Sequence, residues 1–515
     1  MRGEPEQLKR QKTQCHNTSR ETEQKGRLSR ADFLKIAAGM ATASALSALA
    51  GWRGHQAYLS SVAEASYVIG KDGTTIFARN GKTGEIEYSG TDAAAVIDNA
   101  IKALSPGRTW KEKVSLKGNF EISDTIKIPS YTTIEIDGKL RLTGANKNLF
   151  ENANVRGNSN ITIRGGFLDG NRSIHTADSM AIRFQNVSYA EIIRTYFTKF
   201  FHHCIALGNP RVSRPCSYIL IDDCIFDDAA GDDTVTPMAD SHHITVANCV
   251  FKDQPGGGQE VGSSAFEPED GAHDILFTNN QVYNYTYDAI FIHTHSGWSH
   301  GYSIYVIDNI IQSCGDALCT ESDFDGYNLV AIANVFDYSK TTFGGVRLRG
   351  GKDISLIGGS VSNSRGHGIF VENNASRVLI SGVTIKNNGQ AKQAGLQTGI
   401  YVVVPSVIVK GCIVGDDQAR ATQLYQIYVS AGSNIIITDN YIFTKTAGTD
   451  YFKGIRVNNA SDVTIEHNII EGAGGENKWG ISEENTSDNN IFKDNKFLNL
   501  PVEIAKIGAN TITVE

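Results

Sequence analysis

Between Gly231 and Glu372 ionisable side chains recur in step. Aligned on the aliphatic or aromatic residues Val235, Phe266, Ile290, Leu318, Val346 and Ile369, each preceded by a small residue, the outward positions carry Glu267 and Glu269, His293, Glu321, Arg347 and Arg349, then Glu372. Two positions before each aligned residue stand Asp233, Ser264, Asp288, Asp316, Gly344 and His367, with His203 one copy earlier. If successive copies stack as neighbouring strands, ~4.8 Å separates them, and Asp233 and Asp288 lie about 10 Å apart along the backbone. Side-chain lean then brings their carboxyls near the ~6.5–9.5 Å at which two acids hold a water across a glycosidic bond. Asp233 is the candidate general acid, Glu267 or Asp288 the candidate base, and Asp232, Glu269 and His293 complete the catalytic set. Acids clustered around His293 favour its charged form and help one carboxyl keep its proton.

Plainer roles compete. Aspartates readily cap turns by accepting local N–H groups. Glu321, Arg349 and Glu372 also fit an alternating-charge ladder on a wet face, worth little per pair. Glu267, Glu269, Asp270 and Asp288 fit that ladder poorly, because like charges on adjacent copies repel unless a proton, a cation or a substrate relieves them. Calcium is one such relief, with Asp232, Asp233, Glu267, Glu269 or Asp288 as hard oxygen ligands. Glu321, Asp323 and Asp325 have the alternating spacing of a calcium loop, but Ile332 stands where its distal glutamate belongs.

Around the acids lie Tyr283, Tyr285, Tyr287, His295, Trp298, His300 and Tyr302. Flat rings beside carboxylates suit sugar stacking. His295, Trp298, Asp316 and His367 are candidate substrate contacts, and Arg347 and Arg349 could hold substrate carboxylates in bidentate pairs.

The elements that must position these groups are repeated strands. An aliphatic-x-aliphatic pattern recurs at Ile161, Ala190, Ile219, Ile244, Ile275, Ile304, Leu329, Ile354, Val378, Val407, Ile435, Val463 and Asn490, at intervals typical of a solenoid. The acid-bearing pattern falls between copies, so one coil holds at least two strands, and a short third is inferred. Alternation without hairpin signals between strands argues for parallel stacking, and the general crossover rule gives a right hand. The fold expected is all-β: a right-handed parallel β-helix solenoid with an N-terminal capping helix, read from helical spacing over Thr91–Leu104 with Thr91 as cap. Five places after each repeat start, Asn280, Asn309 and Asn334, and later Asn440, Asn468 and Asn495, predict amide ladders between coils. Cys224 and Cys249 share that column, as small buried residues or as a disulfide.

The chain has 515 residues, a net charge of −8, 51 glycines and 10 prolines, a balance that favours tight turns over linkers and offers no basic stripe for nucleic acid. Its eight cysteines show no CxxC and no zinc spacing. Arg27, Arg30 and Lys35 precede an apolar run from Ile36 to Ala50, and Ala63-Glu64-Ala65 offers a cleavage site, so residues 1–65 read as an export signal. Ser29-Arg30-Ala31-Asp32-Phe33-Leu34-Lys35 resembles the twin-arginine signal, with Ala31 in place of the second arginine. A secreted or cell-surface protein is expected, without a membrane span after signal removal.

The Ser89-Gly90-Thr91-Asp92 opening, the Gly165–Asn171 run and the coil repeats together resemble the pectin-lyase-like superfamily over about residues 66–500. The resemblance implies residues 66–150 as cap and first coils, 151–500 as β-helix and 501–515 as its C-terminal end. Gly231-Asp232-Asp233 resembles the Gly-Asp-Asp motif of polygalacturonase-type hydrolases, and Gly366-His367-Gly368 their Gly-His-Gly motif. Here the two lie five coil steps apart, roughly 24 Å, and Phe201-His202-His203 replaces the expected Asn-Thr-Asp. The resemblance implies an exported enzyme on a uronate-containing polysaccharide, by hydrolysis or by calcium-assisted elimination with an arginine base. A non-catalytic glycan-binding or surface β-helix is the alternative.

Overall fold

The computed structural model describes residues 65–254, 264–393, 395–445, 451–476, 478–506, 508 and 510–514. Residues 1–64, which carry the expected export signal, lie outside the described residues. Among the described residues no helix is long and apolar enough to cross a membrane.

The chain opens with an antiparallel meander, Tyr67–Asp72, Thr75–Asn80 and Ile86–Gly90. A helix, Ala93–Lys102, follows; Asp92, not Thr91, caps it by accepting the Ala94 N–H at 3.0 Å. Its face of Val96, Ile97, Ala100 and Ile101 is buried and packs on the strands around it. From Glu112 the strands run parallel, in a right-handed solenoid of about thirteen turns.

A typical coil has three strands, as in Ser217–Asp222, Ile225–Asp227 and Val235–Pro237. The repeat starts pair residue on residue: Ala190 with Ile161 and Ile219, Ile219 with Ile244, Ile244 with Ile275, Ile275 with Ile304. The acid-bearing stretches keep the expected register, Val235 with Phe266 and Phe266 with Ile290 through single bridges, then Ile290 with Leu318, Leu318 with Val346 and Val346 with Ile369 as paired strands. Inward residues fill the bore, where Phe197, Phe226 and Phe251 stack at centroid spacings of 5.0 and 4.5 Å.

The turn between the first two strands is one residue in the left-handed region, as at Asp223, Asn248, Asn279 and Asp308. Asparagine, aspartate and glycine tolerate that conformation best, which accounts for their recurrence there. The next residue faces inward and forms the ladder. Asn280 N–H donates to Asn309 Oδ1 at 2.9 Å, and Asn309 N–H to Asn334 Oδ1 at 3.0 Å. The second run repeats this from Asn440 to Asn468 to Asn495. Cys224 and Cys249 are buried free thiols, so the disulfide alternative does not hold.

One irregularity positions the site. The sheet made by the third strand of each coil is continuous from Ile126 to Pro237 and again from Ile290 to Ala505. Between them Phe266 makes only isolated bridges. Glu267 and Glu269 therefore leave the backbone at a seam between two sheets.

Candidate functional site

At this seam opens a cleft of about 740 Å³. Asp232, Asp233, Glu267, Glu269, His293 and His295 line it, together with Tyr287 and Phe291. Arg172 fixes the turn that presents the two aspartates. Its guanidinium donates to the carbonyls of Phe200, Asp228 and Ala230 and to Asp228 Oδ1, each at 2.8 Å.

Asp232 is held by His202 Nε2 at 3.1 Å and lies 3.8 Å from His203 Nδ1. Asp233 accepts the Ser264 N–H at 2.7 Å and hydrogen-bonds to Glu267. Glu267 Oε1 is 2.7 Å from His293 Nδ1, off the direction of a ring hydrogen bond. His293 Nε2 lies 3.4 Å from Glu269 Oε2, and His295 Nδ1 lies 3.7 Å from that same oxygen. Asp270, itself buried, accepts the His295 N–H at 2.9 Å.

Burial dominates the protonation of this cluster. It pushes Glu267 up to about 8, helped by the charges of Glu269, Asp232 and Asp288 and opposed by the Asp233 hydrogen bond. Burial, and then the Glu267 charge, hold Asp233 well above the usual carboxylate range. Asp232 is raised by burial, with His202 opposing. His203 is lowered by burial to about 4 and stays neutral near pH 7. Two hydrogen-bonded carboxyls both displaced upward share a proton at neutral pH, so Asp233 and Glu267 form a protonated pair in the wall of an open cleft.

Other expected members are placed elsewhere. Asp288 caps a turn, accepting the Asp316 N–H at 2.7 Å, and burial raises it to about 6. Asp316 bonds to Thr341 and is raised by burial to about 8. Arg347 pairs with Glu372 at 2.6 Å over the Phe343 ring, so its guanidinium is committed within the ladder rather than offered to a substrate. Arg349 Nε is buried, and His367 is packed between Phe370 and Tyr401, with burial lowering it to about 3. None of Asp288, Asp316, Arg347, Arg349 and His367 lines the cleft. Of the rings, Tyr287 and His295 line it. Tyr285 is core, bonded to Thr234 at 2.9 Å. Tyr302 stacks between His273 and Tyr327 on another face. Trp298 packs on Met180, Ala206 and Met238, apolar residues of the cleft floor.

The all-oxygen set that calcium wants is not assembled. Asp233 and Asp288 each commit an oxygen to a backbone amide, and His293 stands between Glu267 and Glu269. In the proposed loop Asp325 turns away to Lys352. No step is derived through calcium here.

No family model matches the chain, and no curated protein sequence does. Solved structures do resemble it. The N-terminal fragment of gene product 12 of bacteriophage phi29 superposes with a TM-score of 0.53 at 19% identity, over 81% of this chain and 69% of its own. The tailspike protein of Escherichia coli bacteriophage HK620, in complex with a pentasaccharide, gives 0.51 at 13% identity, over 82% and 76%. The A-module of the Azotobacter vinelandii mannuronan C-5 epimerase AlgE4 covers 82% and 96% at 16% identity, with a TM-score of 0.44 that carries no argument. The fold is the pectin-lyase-like β-helix. At such identities the likeness speaks to fold alone.

Within this pectin-lyase-like β-helix, sequence reasoning missed two basic residues of the cleft. Arg183 and Arg211 line the cleft with Asp178 and Asn209. Arg183 stands cross-strand from Glu151, whose carboxyl its charge helps to lower, and its charge also reaches His203 in the cleft. Extending the outward column two copies towards the N-terminus finds it, because Arg183 pairs with Ala206 and Ala206 with Thr236, the residue that precedes Glu267 in the column. Arg211 follows no column; it lies in the 3-10 turn Pro210–Val212. His202 and His203 were visible only as a departure from a motif.

Proposed function

We propose that the cleft binds and cleaves a uronate-containing polysaccharide, by hydrolysis. The observation that carries the reading is the hydrogen-bonded Asp233–Glu267 carboxyl pair, buried in the wall of an open cleft beside a third carboxylate, Asp232. The pair donates its proton to the leaving glycosidic oxygen, while Asp232, oriented by His202 and His203, positions the attacking water. Arg183, in the same outward column as Glu267 towards the N-terminus, and Arg211 neutralise substrate carboxylates. The expected separate roles of Asp233 and Glu267 thus become one shared role, and Asp288 becomes structural. The protein acts outside the cell, consistent with the signal-like residues 1–65.

Elimination is the second reading, favoured by the same arginines, since a neutralised carboxylate acidifies the neighbouring C–H. A panel of polysaccharides read by product mass decides between them. Saturated oligosaccharides whose yield falls at least ~100-fold in Asp233→Asn and in Glu267→Gln support hydrolysis. Unsaturated products support elimination. Glycan binding with no cleavage across the panel makes the cleft a recognition site.

A further inference from the structure

Glu269, His293 and His295 meet on one wall of the cleft in an arrangement that the proton-sharing pair does not use. Glu269 Oε2 is 3.4 Å from His293 Nε2 and 3.7 Å from His295 Nδ1, and the three ligand atoms lie within 4.8 Å of one another. These separations are long for hydrogen bonds. They are close to the edge of a tetrahedron with ~2.0–2.1 Å metal–ligand bonds, about 3.3 Å. The imidazole planes, inclined at 72° with centroids 4.7 Å apart, converge on the carboxylate rather than stacking.

We propose that Glu269 Oε2, His293 Nε2 and His295 Nδ1 bind a zinc-like divalent ion whose fourth position opens to the cleft. Two imidazole nitrogens and one carboxylate oxygen suit a borderline first-row metal and disfavour calcium and magnesium, which take oxygen. The surroundings fit as well. The second nitrogen of His293 is buried without a hydrogen-bond partner, 2.7 Å from Glu267 Oε1, so a small turn of the ring would give it the carboxylate that commonly backs a metal-bound histidine. Asp270 anchors the His295 backbone and lies 3.2 Å from its Nδ1 through either oxygen, so it holds that proton when the metal is absent. Metal binding displaces the proton. The open position takes water or an oxygen of the bound ligand. This inference does not depend on the cleft being hydrolytic.

The test uses untagged protein, stripped with a chelator and titrated with zinc by calorimetry, with stoichiometry from native mass spectrometry. One ion per chain is expected. Glu269→Gln, His293→Gln and His295→Gln should each weaken binding by more than the ~10–100-fold that loss of an outer carboxylate costs. Cobalt in place of zinc should give the visible absorption of a tetrahedral site. His295 is the most exposed of the three, with 60% of its side chain accessible, so His295→Gln retains the fold and keeps the test valid. Absence of binding overturns the proposal. So does binding that survives all three substitutions, or binding that is lost instead in His202→Gln, which would put the ion at the His202–His203–Asp232 cluster.

Discussion

Replacing Glu267 by glutamine should change how stability depends on pH. The carboxyl moves from 4.5 in the unfolded chain to about 8 in the fold. The neutral form is therefore the one the native state favours. Its stabilisation is fully present below pH 4.5 and is lost as pH rises through about 8. The displacement corresponds to on the order of 5 kcal/mol across that window, an upper bound because Asp233 shares the proton. Glutamine mimics the neutral acid and cannot ionise. In chelator-treated protein, denaturant unfolding at steps between pH 4.5 and 8.5 should show the wild type losing stability relative to Glu267→Gln, with the gap opening chiefly above pH 6. If the two curves run parallel over the whole range, Glu267 is ionised in the fold and the shared proton does not exist.

Removing one rung of the ladder, Asn309→Ala, takes the side-chain partner from the Asn280 N–H and the Phe277 carbonyl, while Asn334 Oδ1 keeps the backbone N–H of residue 309; a loss on the order of 2–4 kcal/mol is expected by denaturant unfolding. Arg183→Gln should weaken binding of charged oligouronates about 10-fold or more in calorimetry, with little change for neutral oligosaccharides. Arg172→Met removes the donor of the Phe200 carbonyl and one of two donors to the carbonyls of Asp228 and Ala230, so cleavage should fall together with melting temperature, whereas Asp233→Asn should reduce cleavage without lowering it.

The strand columns were legible because β-structure turns sequence alternation directly into sidedness. A small residue before an inward aliphatic fixed both the face and the register of Asp233, Glu267 and His293. The ladder was legible for the same reason, since one position per coil keeps one environment. What alternation does not encode is the direction of a side chain at a turn, and the aspartates two before each aliphatic divide on that point. Asp233 reaches the cleft, while Asp288 and Asp316 satisfy buried backbone and hydroxyl partners. Arg347 has the right type in the right column, but a partner one coil on, Glu372, takes it first. The wall with Arg211 comes from a turn outside the repeat, where no periodic signal exists.

The asparagine ladder divides the solenoid in a way its uniform outline conceals. The first run, Cys249 to Asn334, stops at Gly359, where a side chain's first carbon would sit 2.1 Å from the Asn334 carbonyl oxygen. The second starts at Cys412. Between them the column holds Gly359 and Val383, which offer no side-chain hydrogen bond; these coils are tied instead at their next turn, where Ser364 N–H donates to Asn388 Oδ1 and Asn388 N–H to Gln423 Oε1, each at 3.1 Å. Coils tied by amide bonds open together, and untied coils mark where cooperativity weakens. Amide exchange should therefore be fastest at the first turn of these coils, around residues 357–360 and 381–384, and slower at the tied turn around Ser364 and Asn388. The acid-lined cleft lies on the N-terminal side of Gly359, so the C-terminal coils could fray repeatedly without disturbing the chemistry.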